Sequence, residues 1–139
     1  MTALSELVRI SRWHLDEKRQ KLGDLERLAD QLREDLRKLD ETIAQEQRVV
    51  QEDPSARETY SAYIQAEMQR RARLEQSIAN VESEIESARE EVAEAFRELK
   101  KYEMAKANQD ERDNQRQKKA EEKRMDEMGL QLHQRKTER

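Results

Sequence analysis

The stretch Gln51-Glu52-Asp53-Pro54-Ser55 decides how this chain folds. Pro54 has no amide hydrogen to give a helix, and its ring pushes Asp53 towards an extended conformation. Ser55 followed by Glu58 reads as a capping box, in which each side chain satisfies a free backbone N–H at a helix start. One helix therefore ends near residue 51, the turn takes 52–55, and a second helix begins near 56. So short a connection makes the two helices antiparallel neighbours.

Working outward, alternate steps of four and three from Leu4 reach Val8, Ser11, Leu15, Lys18, Leu22, Leu25, Ala29, Leu32, Leu36, Leu39, Ile43, Glu46 and Val50. Eleven of these fourteen residues are apolar, while the positions between them are mostly charged. The same rule from Tyr60 gives Ile64, Glu67, Arg71, Leu74, Ile78, Val81, Ile85, Ala88, Val92, Ala95, Leu99 and Tyr102, with eleven of thirteen apolar. A seven-residue repeat kept this long imposes a left-handed supercoil and requires a helical partner over the stripe. The bend sets Val50 against Tyr60 and Val8 against Tyr102, so the second seam ends where the first helix runs out of chain. The expected fold is all-α: two long helices in an antiparallel left-handed coiled-coil hairpin, with a C-terminal helical overhang. It forms a single domain over 1–139, with helix one over about 3–51, helix two over about 56–128 and a disordered tail over 129–139. The paired part should be about 70 Å long. Past Tyr102 the seam stops, and good helix formers without proline continue to Gly129, a plausible helix stop.

Composition agrees with a seam and excludes a globule. Charged residues make up 43% and hydrophobic ones 34% of 139 residues, too little apolar material for a rounded core. Acids and bases number 32 and 28, a balance that argues against binding nucleic acid. There is no cysteine, which suits a reducing compartment. No apolar run approaches the roughly 20 residues of a membrane span, and the N-terminus lacks a signal peptide's apolar core. A cytoplasmic protein is expected.

Catalytic chemistry has no foothold here. His14 and His133 each stand alone, without the paired spacing of a metal site. There is no Gly-rich phosphate loop and no nucleophile elbow. The carboxylates lie on solvated helical faces with no concave pocket to shift a pKa. The chain is expected not to be an enzyme and to need neither metal nor cofactor.

Interest moves to where the seam fails. Near the turn, Glu46, Glu67 and Arg71 occupy seam positions and the apolar stripe slips onto Tyr63 and Met68. Either the end is loosely wound, with long side chains snorkelling out, or Tyr60, Tyr63, Ile64 and Met68 form an anchor for a partner. In the first turns, Leu7, Ile10 and Trp13 lie off the seam. They are covered by the overhang, through Met104, Ala105 and Ala107, or by another molecule. Along helix two, residues 82 to 98 are rich in Glu, a run that ordinarily marks a solvated face. Glu94 and Glu98 repel at i, i+4 unless bases such as Lys18 and Arg19 face them.

The single hairpin, the run Leu99-Lys100-Lys101-Tyr102-Glu103 and the charged extension ending in Lys123-Arg124-Met125-Asp126-Glu127-Met128 resemble the FliJ family of flagellar protein export over nearly the whole chain. The resemblance implies a central stalk that links and stimulates a hexameric export ATPase and contacts the cytoplasmic domain of a membrane export-gate protein. Export chaperones are further partners, and association with the membrane is peripheral and only through partners. Tyr60, Tyr63 and Ile64 stand in a place comparable to the family's gate-contacting residues, although Glu67 and Arg70 depart from its small or apolar pattern. Trp13 and the overhang would by the same analogy face the ATPase. A holdase-type chaperone, a structural spacer and a homo-oligomeric coiled coil are the competing readings.

Overall fold

The computed structural model describes residues 2–138. Two helices account for nearly all of them: α1 spans Ala3–Glu52 and α2 spans Arg57–Thr137, joined through a single 3-10 turn at Pro54–Ala56. There is no strand among the described residues. Thr2 caps α1, its hydroxyl oxygen accepting from the Ser5 amide at 3.2 Å, which satisfies a donor that has no intrahelical partner.

The turn is built from the residue before the proline rather than the one after it. Asp53 is extended (φ −128°, ψ 95°), as the following Pro54 demands. Its Oδ1 accepts from the Ser55 amide at 3.1 Å and from the Ser55 hydroxyl at 2.6 Å. The expected capping box of Ser55 with Glu58 is therefore corrected. Pro54 can occupy the first helical position, so the 3-10 turn starts two residues earlier and Asp53 becomes the cap. These two hydrogen bonds hold the exposed Asp53 carboxyl below its ordinary pKa, the hydroxyl contributing more than the amide. On the other side, the Asp53 amide donates to the Val49 carbonyl at 3.0 Å and closes the end of α1.

All twenty-seven residues of the two predicted seams are buried or half-buried. Contacts group them into two compact units, Trp13–Phe96 and Met1–Arg12 with Arg97–Arg139. In the first, Ala29, Val81 and Ile85 form a buried cluster with Leu22, Leu25 and Leu32 packed against it. Ala29 has no exposed surface, so the helices meet there over a methyl group. The flanks carry ion pairs between helices: Lys18 and Lys21 with Glu91 (3.5 and 3.4 Å), Glu26 with Arg89 (4.0 Å), Arg33 with Glu82 (3.0 Å) and Asp40 with Arg71 (2.6 Å). As the first number rises the second falls, so α1 and α2 run antiparallel. Lys18 thus answers Glu91 rather than Glu94. Both lysines lower the Glu91 pKa, with the Lys21 hydrogen bond foremost.

In the other unit, Val8, Ser11 and Leu99 are buried and Tyr102 is half-buried. Glu103 forms ion pairs with Arg12 at 3.6 Å and with Lys100 at 3.4 Å. Every described residue from 107 onward is exposed, as expected of an unpaired extension. Two expectations fail here. Gly129 does not stop α2, and 129–137 is helical instead of a disordered tail. Gly129 has no positive φ, so it forms no left-handed cap. One interior glycine costs about 1 kcal/mol but removes no hydrogen bond, and good helix formers flank it. The Thr137 hydroxyl closes the end by donating to the carbonyls of His133 (3.1 Å) and Gln134 (2.9 Å). Residue 139 of the expected tail lies outside the described residues.

Candidate partner-binding surfaces

The turn end is polar inside and aromatic at its edge. Arg71, on the seam, is held by Asp40 across the hairpin and by Glu75 one turn along its own helix. With Glu46 and Glu67 also on the seam, the apolar interface is broken for several turns next to the bend. Tyr60 and Tyr63 lie beside this break, their ring centroids 6.5 Å apart and tilted by 38°. Both are half-buried, as is Ile64, while Met68 is 49% exposed. Burial raises the Tyr63 pKa, and the carboxylates of Glu67 and Glu46 push it the same way. Arg70, 4.0 Å from Glu67, acts in the opposite direction, so the tyrosine pair has charges of both signs beside it. The structure brings Tyr60 and Tyr63 together; Val49, 48% exposed, is an apolar residue of α1 that the sequence reading passed over.

Near the start of α1, Leu7 and Ile10 are exposed one turn apart, on positions the seam does not use. In the other unit, Trp13 leaves 59% of its surface to solvent, and its ring lies 5.3 Å from that of His14. Of the residues offered as cover, Met104 is 66% exposed and Ala107 is exposed, while Ala105 is half-buried.

A third apolar surface escaped the sequence reading. Met125, Met128, Leu130 and Leu132 all lie exposed on α2. The spacing of 125, 128 and 132 was visible, but a helix ended at 128 cannot present it.

The rest of the surface is a lattice of short-range ion pairs. Glu6 with Arg9, Asp24 with Arg27, Asp30 with Arg33, and Glu34 with Arg37 and on to Glu41 all lie at i, i+3 or i, i+4. Such exposed pairs are worth a few tenths of a kcal/mol each, as on any solvated helical face. Among the described residues no group of three or more His, Cys, Asp or Glu could hold a metal ion. Among the described residues no helix is long and apolar enough to cross a membrane.

A family model described as the flagellar FliJ protein matches residues 1–138. The chain belongs to the FliJ family. It is thus a component of the flagellar export apparatus, from a family that is not catalytic. Comparison with curated proteins and with solved structures returns no match.

Proposed function

We propose that the chain is the cytoplasmic stalk of the flagellar export machine, coupling a hexameric export ATPase to the cytoplasmic domain of a membrane export-gate protein. The family match over residues 1–138 carries this reading. Tyr60, Tyr63, Ile64 and Met68 form the gate-facing anchor. Aromatic and Met side chains next to a polar break suit a partner that supplies an apolar pocket with bases at its rim, given Glu46 and Glu67 nearby. Leu7 and Ile10 in one unit, and Trp13 in the other, are the residues that meet the ATPase. A single asymmetric stalk in a six-fold ring touches only some subunits at once, and this differential contact biases their nucleotide states. Association with the membrane is peripheral and runs through the gate protein, and export chaperones are further cargo.

The test is an ATPase assay with the cognate hexamer. Adding the purified chain should raise the hydrolysis rate, and the chain should co-purify with ATPase and gate domain. No stimulation together with no co-purification would refute the stalk.

A further inference from the structure

Met125, Met128 and Leu132 lie at i, i+3 and i+7 on α2 and are 73%, 57% and 59% exposed. That spacing sets them on one helical face. Gly129 falls at i+4 on the same face, and a Cβ added there would meet nothing within 4 Å. Glycine inside a helix is less favourable than alanine, and nothing within the chain needs the space it leaves. A bare backbone at that point lets another helix come close.

The charges at the two ends of this stripe are opposite. Glu121 and Glu122 lie one turn before Met125, and Arg135 and Lys136 lie one turn after Leu132, all four exposed on the same side of the helix. A face that runs acid, apolar, base along its length is complementary to itself when a second copy is turned end over end. Each copy's Glu121 and Glu122 then meet the other's Arg135 and Lys136. Met125 meets Leu132, and the glycines cross near the centre. A parallel arrangement would set acid against acid and base against base.

We propose that the chain pairs with a second copy of itself through this face, as a two-fold antiparallel helix pair centred near Met128 and Gly129. The contact is isologous, so it closes at two copies and does not propagate. With three apolar side chains and four charges on each copy, the contact is far smaller than the roughly 20–30 residues a side of a stable specific interface. The pair is accordingly weak and reversible.

Sedimentation of the full chain, from micromolar to millimolar concentration, reads this directly. The wild-type chain should pass from monomer to dimer. The double variants Glu121→Lys/Glu122→Lys and Arg135→Glu/Lys136→Glu should each, alone, raise the dissociation constant by about tenfold or more, since opposed charges become like charges. Mixed in equal amounts, they should associate at least as well as the wild type. These positions pack against nothing in the chain, so helicity by circular dichroism should be unchanged and serves as the folding control. A chain that stays monomeric to millimolar concentration overturns the proposal. So does a dimer that both double variants form as well as the wild type, or a mixture no tighter than its parts.

Discussion

Arg71 reaches across the hairpin to Asp40, its Nε 2.6 Å from one carboxylate oxygen and its Nη2 3.3 Å from the other. It does so from a seam position, where an apolar residue would bury more surface. The two-pronged contact fixes the helices' relative register near the turn, because only one vertical offset allows both bonds. Replacing Asp40 with Leu should leave the guanidinium without its cross-helix partner and lower the urea midpoint by a few tenths molar. Replacing Arg71 with Leu should leave the midpoint unchanged or raise it, while loosening register. Chemical denaturation with a spin-label pair across the turn would measure both.

Gly23 sits in the middle of α1, and a Cβ there would meet the Arg27 guanidinium at 3.4 Å, the mobile end of a long side chain. Gly23→Ala should therefore stabilise the chain by about 0.5–1 kcal/mol. Thermal unfolding followed by circular dichroism should show a higher midpoint with an unchanged signal before the transition.

Ala29 has no exposed surface and stands between Val81 and Ile85. A larger side chain there must push the helices apart, so Ala29→Leu should cost about 1–3 kcal/mol despite its added hydrophobicity. A urea titration that showed no loss would mean the helices meet less closely at this point than described.

Acid should weaken the fold through particular carboxylates. Glu91 beside Lys21 and Lys18, Glu34 beside Arg37, and Asp53 capped by Ser55 all have folded pKa values below their ordinary 4.5, 4.5 and 3.8. A depressed carboxyl contributes stability that is complete above its unfolded pKa and is lost as pH falls through the folded one. The urea midpoint should be level from pH 8 to about pH 5.5 and decline below about 4.5. Glu91→Gln should lower the neutral plateau and shallow the acid decline.

The surface residues separate contact from folding. Trp13→Ala should leave helicity and melting almost unchanged, because the indole is 59% exposed, yet lower stimulation of the ATPase by the proposed stalk. A collapse of the helix signal in that variant would show that Trp13 packs within the chain.

What the sequence made legible follows from what repeats. Each seam residue is supported by its neighbours seven positions away, so a polar intruder such as Lys18, Ser11 or Glu46 does not hide the stripe, and all of them lie where the spacing puts them. Pro54 likewise admits few alternatives. Single events were harder to read. Whether Asp53 or Ser55 caps the turn depends on which residue Pro54 follows into the helix, a matter of local geometry that a motif count does not resolve. Gly129 was misread because a glycine after a run of polar residues looks like a cap, whereas only a left-handed φ makes it one. That error concealed the Met125–Leu132 stripe. The tyrosines near the turn stand out in the sequence because they are large residues beside a broken seam, whereas the exposed Val49 at a flanking position gives no such contrast.

From residue 107 to the end of α2, no side chain is committed to packing. Selection for a stable fold therefore acts on that stretch only through helix propensity, and substitutions there escape the packing penalty that a change at Ala29 or Val81 incurs. Across the core, a map of tolerated mutations would mix two demands, one to fold and one to bind. Over the bare helix the folding demand shrinks to helix propensity, so a position there that tolerates neither alanine nor another good helix former names a point of contact with another molecule.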